Sequence, residues 1–242
     1  AVGGGFVRRG EAVAADGETV DRLVGEYAGK LSVASYNGAQ QTVISGHEQE
    51  VQRVCEALKA LGVRTRTLEV DRAFHSPMMQ PMVQAFAEVA DQIQYRAATL
   101  KLISNVSGEP VGEGQILDGR YWCEHVQAPV RFKESAQWLM AQGGVCVEMG
   151  AQAVLSSLGA GQDEQGRCQW VASLRGAAQD GWQGMLDALG QSYAQGLQPK
   201  WVALHEGQAR RKVALPHHPF QRQVFWLPEG TAAASPSRPS AT

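Results

Sequence analysis

His75 has the clearest potential for acid–base chemistry in this sequence. It lies in the segment RAFHSPMM, in the loop that leads into a helix predicted to start near Pro77. Proline suits the first turn of a helix, because the N–H that it lacks would have no partner there. An imidazole on such a loop can face a cleft and act as a general base near neutral pH. From position alone, a helix-entry residue bound by local backbone is the alternative.

Other polar positions have weaker patterns. His125, in WCEHVQAPVRF, fits the surface of a short amphipathic helix, and Asn105, in SNVSG, fits a turn. His217 and His218 are adjacent, but no carboxylate or cysteine accompanies them at the spacing of metal ligands. The residues therefore predict no metal site.

A nucleophile that His75 could activate is missing from the sequence pattern. The motif G-x-S-x-G, which presents a catalytic serine on a strained turn, does not occur, and no cysteine has an equivalent glycine frame. The glycine fingerprints of phosphate and dinucleotide binding do not occur either. We therefore expect no route to covalent acyl transfer by these 242 residues alone.

Composition excludes several classes of protein. Lys and Arg total 22 against 24 Asp and Glu, so neither nucleic acid nor an anionic membrane is an expected partner. The hydrophobic fraction of 44% is that of a folded protein, and no apolar run approaches the roughly 20 residues that span a bilayer. Four scattered cysteines without a C-x-x-C pair favour a reducing, cytoplasmic location over a disulfide framework or metal cluster.

Residues 11–71, which follow an unassigned start at 1–10, have the pattern of a small α/β unit. A first helix is predicted from apolar residues at helical spacing, which are Val20, Leu23, Val24 and Tyr27. Between the strand-like segments LSVASY and QTVIS, the dipeptide Asn37-Gly38 favours a tight hairpin turn. Ser45 and Glu48 have the spacing of a capping box, which predicts a second helix there. With the alternating strand VRTRTLEV, the order becomes β-α-β-β-α-β, that of a ferredoxin-like fold.

Residues 72–195 alternate between helix and strand patterns, which favours a parallel sheet layer. Helices are predicted from Pro77 and over 121–126, 131–142, 152–158 and 182–193. Strands are predicted at LKLISNV, at CQWVASL and at GVCVEMG, whose continuous apolar run is typical of a buried parallel strand. Residues 196–228 lose this periodicity and read as a linker, and the low-complexity residues 229–242 as a disordered tail.

Six stretches together resemble the acyltransferase domain of modular type I polyketide synthases and, more distantly, the malonyl-CoA:acyl-carrier-protein transacylases. In the family's order, they are SVASYNGAQQTVISG, RAFHSPMMQPM, ISNVSGEPV, YWCEHVQAPVRF, VEMGAQAVL and ALPHHPFQRQVFWL. The resemblance covers about Glu11 to Pro228. It implies an α/β fold in which a ferredoxin-like small subdomain is inserted in the C-terminal part of an α/β-hydrolase-like acyltransferase subdomain, followed by the post-acyltransferase linker.

The resemblance implies a ping-pong reaction and assigns catalytic roles. A serine in a G-H-S-x-G turn takes the acyl group from coenzyme A and passes it to the phosphopantetheine thiol of an acyl carrier protein. His75 matches the general base that accepts the serine proton and later activates the carrier thiol. His125 matches the position whose backbone carbonyl orients that base.

Substrate-binding positions also follow from the resemblance, and they are Phe74, Ala73 and Asn105. Malonyl-selecting members resemble H-A-F-H where methylmalonyl-selecting members carry Y-A-S-H, so Phe74 favours malonyl. The bulky ring would fill the space that an α-methyl group needs. Arg72 departs from the first position of that motif.

The start of the chain departs most from the family. The serine turn and the arginine that binds the malonyl carboxylate precede the small subdomain in the family, and neither has a counterpart here. Since the chain also begins AVGGGFVRRG without an initiator Met, we expect the C-terminal part of an acyltransferase, inactive by itself. The strand edge at Val145–Val147 would then be uncovered and prone to aggregation.

Partners and ligands follow from the same resemblance. We expect malonyl-CoA as substrate, no directly bound cofactor, and phosphopantetheine carried by the acyl carrier protein. The ketosynthase and other domains of the same synthase are further expected partners. A different class remains open, a non-catalytic docking module anchored by aromatic residues of the linker, which are Trp201, Phe220, Phe225 and Trp226.

Overall fold

The structure is a computed structural model that describes residues 8–68, 72–177, 180–209, 211–223 and 225. The chain forms two compact units, Ala1–Pro199 and Lys200–Thr242. Within the described ranges, no helix has both the length and the apolar character needed to cross a membrane. The expected disordered tail at 229–242 lies outside the described residues.

The first part of the larger unit is a four-stranded antiparallel sheet with two helices. Its elements are β1 (Arg8–Val13), α1 (Gly17–Gly25), β2 (Leu31–Gly38), β3 (Gln41–His47), α2 (Glu48–Ala60) and β4 (Thr65–Leu68). The strands lie in the order β2-β3-β1-β4, so β2 is an edge strand. The β-α-β-β-α-β order of elements predicted from the sequence is present.

A single apolar cluster joins this sheet to its two helices. The predicted helical face is correct, because Val20 and Val24 of α1 are buried in the cluster together with Val51 and Leu58 of α2. The sheet contributes Val13, Leu31, Val33 and Ile44, and Leu31 and Val33 have the two-residue spacing of one face of a strand. The side chain of Asp16 caps α1 by accepting hydrogen bonds from the backbone N–H and the hydroxyl of Thr19.

Two local predictions for this part are wrong. Asn37-Gly38 does not form the hairpin turn, because β2 continues through Gly38 and the chain turns at Ala39 and Gln40. Ser45 does not cap α2, since β3 runs through it to His47, which precedes the helix without a side-chain cap. Strand pairing with β1 and β2 fixes Ser45, so the sheet register overrides the local capping pattern.

The second part of the larger unit alternates helices with two strands. A 3-10 turn at Pro77–Met79 leads into α3 (Gln80–Ala90), and the elements that follow are α4 (Gly119–Gln127), α5 (Phe132–Gln142), β5 (Gly144–Glu148), α6 (Leu155–Ala160), β6 (Cys168–Ala172) and α7 (Gly181–Ala194). Strands β5 and β6 pair in parallel, as the helix–strand alternation predicted. The helix predicted over 152–158 begins three residues later, at Leu155.

Two strand predictions need correction here. LKLISNV is not a strand but one half of a tight loop, in which Ile103 forms an isolated bridge with Pro110. Two backbone bonds flank this bridge, from Ser104 N–H to the Glu109 carbonyl and from Val111 N–H to the Leu102 carbonyl, while the Glu109 N–H donates to the Ser107 hydroxyl and not to the opposite segment. GVCVEMG does form β5, but it is only partly buried, because Val147 is 44% exposed and Met149, just past the strand, is 89% exposed.

The smaller unit contains one short helix, α8 (Trp201–Leu204), and otherwise irregular backbone within its described residues. Two of the proposed aromatic anchors have largely exposed side chains, with Phe220 77% and Phe225 89% accessible, while Trp201 is 43% exposed. Trp226 lies outside the described residues.

Candidate active site

The backbone of His75 is held in an unusual conformation. Its φ of 56° lies in the left-handed region, and His75 is the only non-glycine residue with positive φ in the described part of the chain. Side chains rarely adopt this conformation, which costs about 1–2 kcal/mol, so it persists only where neighbours enforce it. Two hydrogen bonds do so: His75 N–H donates to the Val126 carbonyl (3.0 Å), and the Ser32 hydroxyl donates to the His75 carbonyl (3.1 Å).

The ring nitrogen Nδ1 of His75 faces two backbone carbonyls. Its distances are 3.0 Å to the His125 oxygen and 2.9 Å to the Ala128 oxygen. Carbonyl oxygens only accept hydrogen bonds, so Nδ1 must carry the proton and donate it. In the neutral ring, Nε2 then keeps its lone pair and can accept a proton.

The end of helix α4 supplies all three carbonyls that bind His75, and Pro129 explains why they are free. In a continuing helix the His125 oxygen would accept from the N–H of residue 129, but proline has none. The residue before a proline is also restricted to extended backbone, and Ala128 has φ −69° and ψ 148°. The helix therefore stops with its unpaired carbonyls turned toward the histidine.

The imidazole of His125 forms one wall beside His75. The two rings lie edge to face, with centroids 5.5 Å apart, and Trp122 packs on His125 at 5.8 Å. Burial, followed by the nearby His75 ring, lowers the pKa of His125 below its usual value. Its Nε2 lies 3.5 Å from the amide nitrogen of Asn105, which can donate to it. A neutral His125 fits both contacts.

The structure brings the predicted site residues into one neighbourhood, with different exposure. Ala73 is fully buried, whereas the Phe74 ring beside it is 49% exposed. Asn105 reaches this neighbourhood through its contact with His125, and its carbonyl accepts a hydrogen bond from the Arg131 N–H. The sequence reasoning missed the carbonyl of Ala128, for which the only sequence signal is the proline that follows.

The cysteines are the other candidate nucleophiles among the described side chains. Burial is the main cause that raises the pKa of Cys146 to about 12, and burial likewise raises the pKa of Cys55. A thiol with a raised pKa is a poor nucleophile at neutral pH. The described residues contain no group of three or more His, Cys, Asp or Glu side chains that could hold a metal ion. The chemistry that this geometry supports is proton transfer at His75 Nε2.

Comparison with known proteins identifies the family. Residues 6–188 match the model of the acyl transferase domain. The chain is 34% identical over 212 residues to polyketide synthase GfsA of Streptomyces halstedii. This match covers 85% of this chain and 3% of the synthase. It is 36% identical over 223 residues to the putative inactive phenolphthiocerol synthesis polyketide synthase type I Pks1 of Mycobacterium tuberculosis, covering 90% of this chain and 13% of that protein.

Solved structures of related acyltransferases superpose on this chain. The acyltransferase domain from the second module of the salinomycin polyketide synthase superposes with a TM-score of 0.79 at 32% identity, over 87% of this chain and 49% of that one. FabD from Acinetobacter baumannii shares the mixed α/β fold, with a TM-score of 0.67 at 22% identity, over 78% of this chain and 59% of that chain. The chain belongs to the acyl transferase domain family, in the branch found in modular type I polyketide synthases.

Proposed function

We propose that this chain provides the general base and the specificity residue of an acyltransferase that moves a malonyl unit from coenzyme A to the phosphopantetheine thiol of an acyl carrier protein. The observation that carries the proposal is the pair of carbonyls at His75 Nδ1, 2.9 and 3.0 Å away. They leave Nε2 as the atom that takes a proton from a hydroxyl and later from the carrier thiol.

The nucleophile is a serine outside this sequence. The chain has no G-x-S-x-G motif and spans 49% of the related salinomycin domain, so the family's serine belongs to another segment. That serine attacks the malonyl thioester and its proton moves to His75 Nε2, which then gives this proton to the coenzyme A thiolate as it leaves. The carrier thiol next gives its proton to Nε2 and attacks the acyl-serine ester, and Nε2 returns the proton to the serine oxygen as it leaves.

Phe74 sets the choice of extender unit in this proposal. It follows the buried Ala73 and precedes the base, and about half of its ring is accessible beside the site. A ring at this point obstructs a branched α-carbon next to the reacting thioester and tolerates an unbranched one. One extra carbon in an apolar pocket changes kcat/KM by a factor of ~10–200. Asn105, which contacts His125, lines the same substrate region.

The sheet of β1 to β4 with α1 and α2 is the small subdomain of this enzyme. Its order β2-β3-β1-β4 and antiparallel pairing support a ferredoxin-like assignment. Residues 72–195 then form the C-terminal part of the hydrolase-like subdomain, and 196–228 the linker toward neighbouring domains. The acyl carrier protein and the ketosynthase of the same synthase are the proposed partners.

The proposal is tested by complementation. The 242-residue chain is mixed or co-expressed with the N-terminal half of the salinomycin second-module acyltransferase and incubated with radiolabelled malonyl-CoA. We expect label on the N-terminal fragment only in the presence of this chain, transfer to an added carrier protein, and no label on this chain alone. Stable label on this chain by itself would overturn the assignment of the nucleophile.

A matched variant tests the specificity claim in the same assay. Phe74→Ser is expected to raise the use of methylmalonyl-CoA relative to malonyl-CoA, since it opens the space beside the α-carbon. Met82→Ser, at an exposed position on α3, serves as the control and should leave the ratio unchanged. An unchanged ratio in Phe74→Ser would contradict the role of that ring.

A further inference from the structure

We propose that the edge strand β2 is a positioning element for the base, acting through Ser32, Ser35 and the irregularity between them. This inference rests on the proposed role of His75, and it assigns that role to residues that do not touch substrate. Ser32 donates to the carbonyl of His75 itself, at 3.1 Å. Ser35 lies 3.2 Å from the carbonyl of Val130, two residues after Ala128, whose own carbonyl binds His75 Nδ1.

A bulge in β2 explains how two serines three residues apart reach the same side. Ser32 pairs with Ser45 and Ser35 pairs with Val43, two positions on one face of β3. In a regular strand, residues three apart face opposite sides. The register shifts between Val33 and Ser35, so Ala34 is the extra residue that restores a common face.

The backbone of β2, on the edge that does not pair with β3, also binds the segment after α4. Val130 N–H donates to the Ala34 carbonyl, and Tyr36 N–H donates to the Val130 carbonyl, each at 2.9 Å. Together with the parallel bridge between Ser35 and Val130, these bonds add one short segment to the edge of the sheet. Ala34, which has no partner on β3 because of the bulge, is therefore the residue whose carbonyl accepts the hydrogen bond from the Val130 N–H.

These contacts form a connected path from the sheet to the imidazole. On one side, Ser32 holds the carbonyl of His75 and so supports its left-handed backbone. On the other, β2 fixes Val130 and thereby the direction of the Ala128 carbonyl that accepts from Nδ1. The hydroxyl of Ser35 also contacts Asn37 Oδ1, so its single proton is shared between that oxygen and the Val130 carbonyl. The position of the sheet thus determines which ring nitrogen of His75 carries the proton.

The test measures which ring nitrogen of His75 carries the proton, and it needs no substrate. The full chain is labelled with ¹⁵N-histidine, and the His75 signals are identified by their loss in His75→Gln. In the native chain we expect the neutral ring to be protonated at Nδ1. In Ser32→Ala/Ser35→Ala, the Nδ1-protonated fraction should fall and the two ¹⁵N shifts should converge. Ser157→Ala, which removes a hydroxyl of α6 that donates to the carbonyl of Ala153 before that helix, should resemble the native chain.

The conservative variants Ser32→Thr and Ser35→Thr keep the hydroxyls and should retain the native tautomer. If circular dichroism shows that the double alanine variant does not fold, each single variant is read by the same criterion. Native ¹⁵N shifts in a folded alanine variant would overturn the inference. Because no substrate is present, this outcome is distinct from failure of malonyl transfer. In the complemented enzyme, the double variant should lower kcat by up to about 100-fold with little change in KM, as for a misplaced catalytic group.

Discussion

The carbonyl oxygen of Ala128 lies 2.9 Å from His75 Nδ1, slightly nearer than the His125 oxygen at 3.0 Å. In the proposed mechanism, two neutral acceptors around one N–H perform the orienting task that a buried carboxylate performs in Ser-His-Asp triads. They fix the tautomer without placing a negative charge beside the ring. The arrangement depends on the end of α4, where a proline leaves these oxygens without helical partners.

Pro129→Ala tests that dependence. Alanine restores an N–H at residue 129 that can bind the His125 oxygen, and it releases Ala128 from the extended conformation that proline requires. We expect α4 to lengthen and the fraction of His75 protonated at Nδ1 to fall, measured by ¹⁵N-histidine NMR on the full chain. Pro81→Ala, in the first turn of α3, is the matched control. If Pro129→Ala keeps the native shifts, proline is not what presents these carbonyls.

Close packing between α6 and β6 gives a prediction of opposite signs at two glycines. A Cβ at Gly159 would lie 2.4 Å from a ring carbon of Trp170, whereas a Cβ at Gly190 in α7 would have no neighbour within 4 Å. Gly159→Ala should therefore lower the free energy of unfolding by about 1–3 kcal/mol. Gly190→Ala should raise it by about 0.4–1 kcal/mol, because it removes backbone freedom from the unfolded chain.

Urea unfolding of the two variants beside the native chain measures both effects. A neutral result at Gly159 would mean that α6 can move away from the Trp170 ring at little cost. Both changes add the same single methyl group to a helical residue, so the two variants differ mainly in what that methyl group meets.

Glu148 makes the folding stability of the larger unit dependent on pH. Its carboxylate accepts hydrogen bonds from the first N–H groups of α6, at Val154, Leu155 and Ser156. Burial on its own raises the pKa of Glu148, but these bonds outweigh burial and hold the pKa below the usual 4.5. A carboxyl with a depressed pKa contributes stability above its unfolded value, and this contribution is lost as pH falls through the folded value.

Glu148→Gln is the corresponding variant. At pH 7 it should lower the free energy of unfolding by about 1 kcal/mol, the scale of a lost helix cap. The difference from the native chain should shrink as pH falls below 4.5, where the native carboxylate also becomes protonated. Chemical unfolding at pH 7, 5 and 3.5 measures it. A difference that is constant over this range would exclude the charge of Glu148 as its source.

Much of the larger unit could be predicted from the sequence because its signals are local. The face of α1 at Val20 and Val24 and the helix around His125 follow from periodicity alone, and these elements form as expected. The failures arise where distant segments decide. Ser45 has a capping pattern, but its pairing with Gly10 and Ser32 makes it part of a strand.

The candidate site also has residues that could be predicted from the sequence and residues that could not. His75 and the His125 carbonyl followed from resemblance to a family, and the structure places them 3.0 Å apart. The contribution of Ala128 and of β2 could not follow, because no local pattern states which edge of a sheet the segment after α4 will join. The bulge at Ala34 is a property of strand pairing, which depends on residues of both strands.

The most direct test of the account is the rate of malonyl transfer in the complemented enzyme with His75→Ala. Single-turnover acylation of the serine fragment and transfer to the carrier protein are measured beside Ser157→Ala, whose hydroxyl lies in α6. General-base catalysis typically contributes about 10²–10⁴-fold, so both steps should slow by that factor in His75→Ala and remain native in the control. A folded His75→Ala enzyme that acylates and transfers at the native rate would contradict the account.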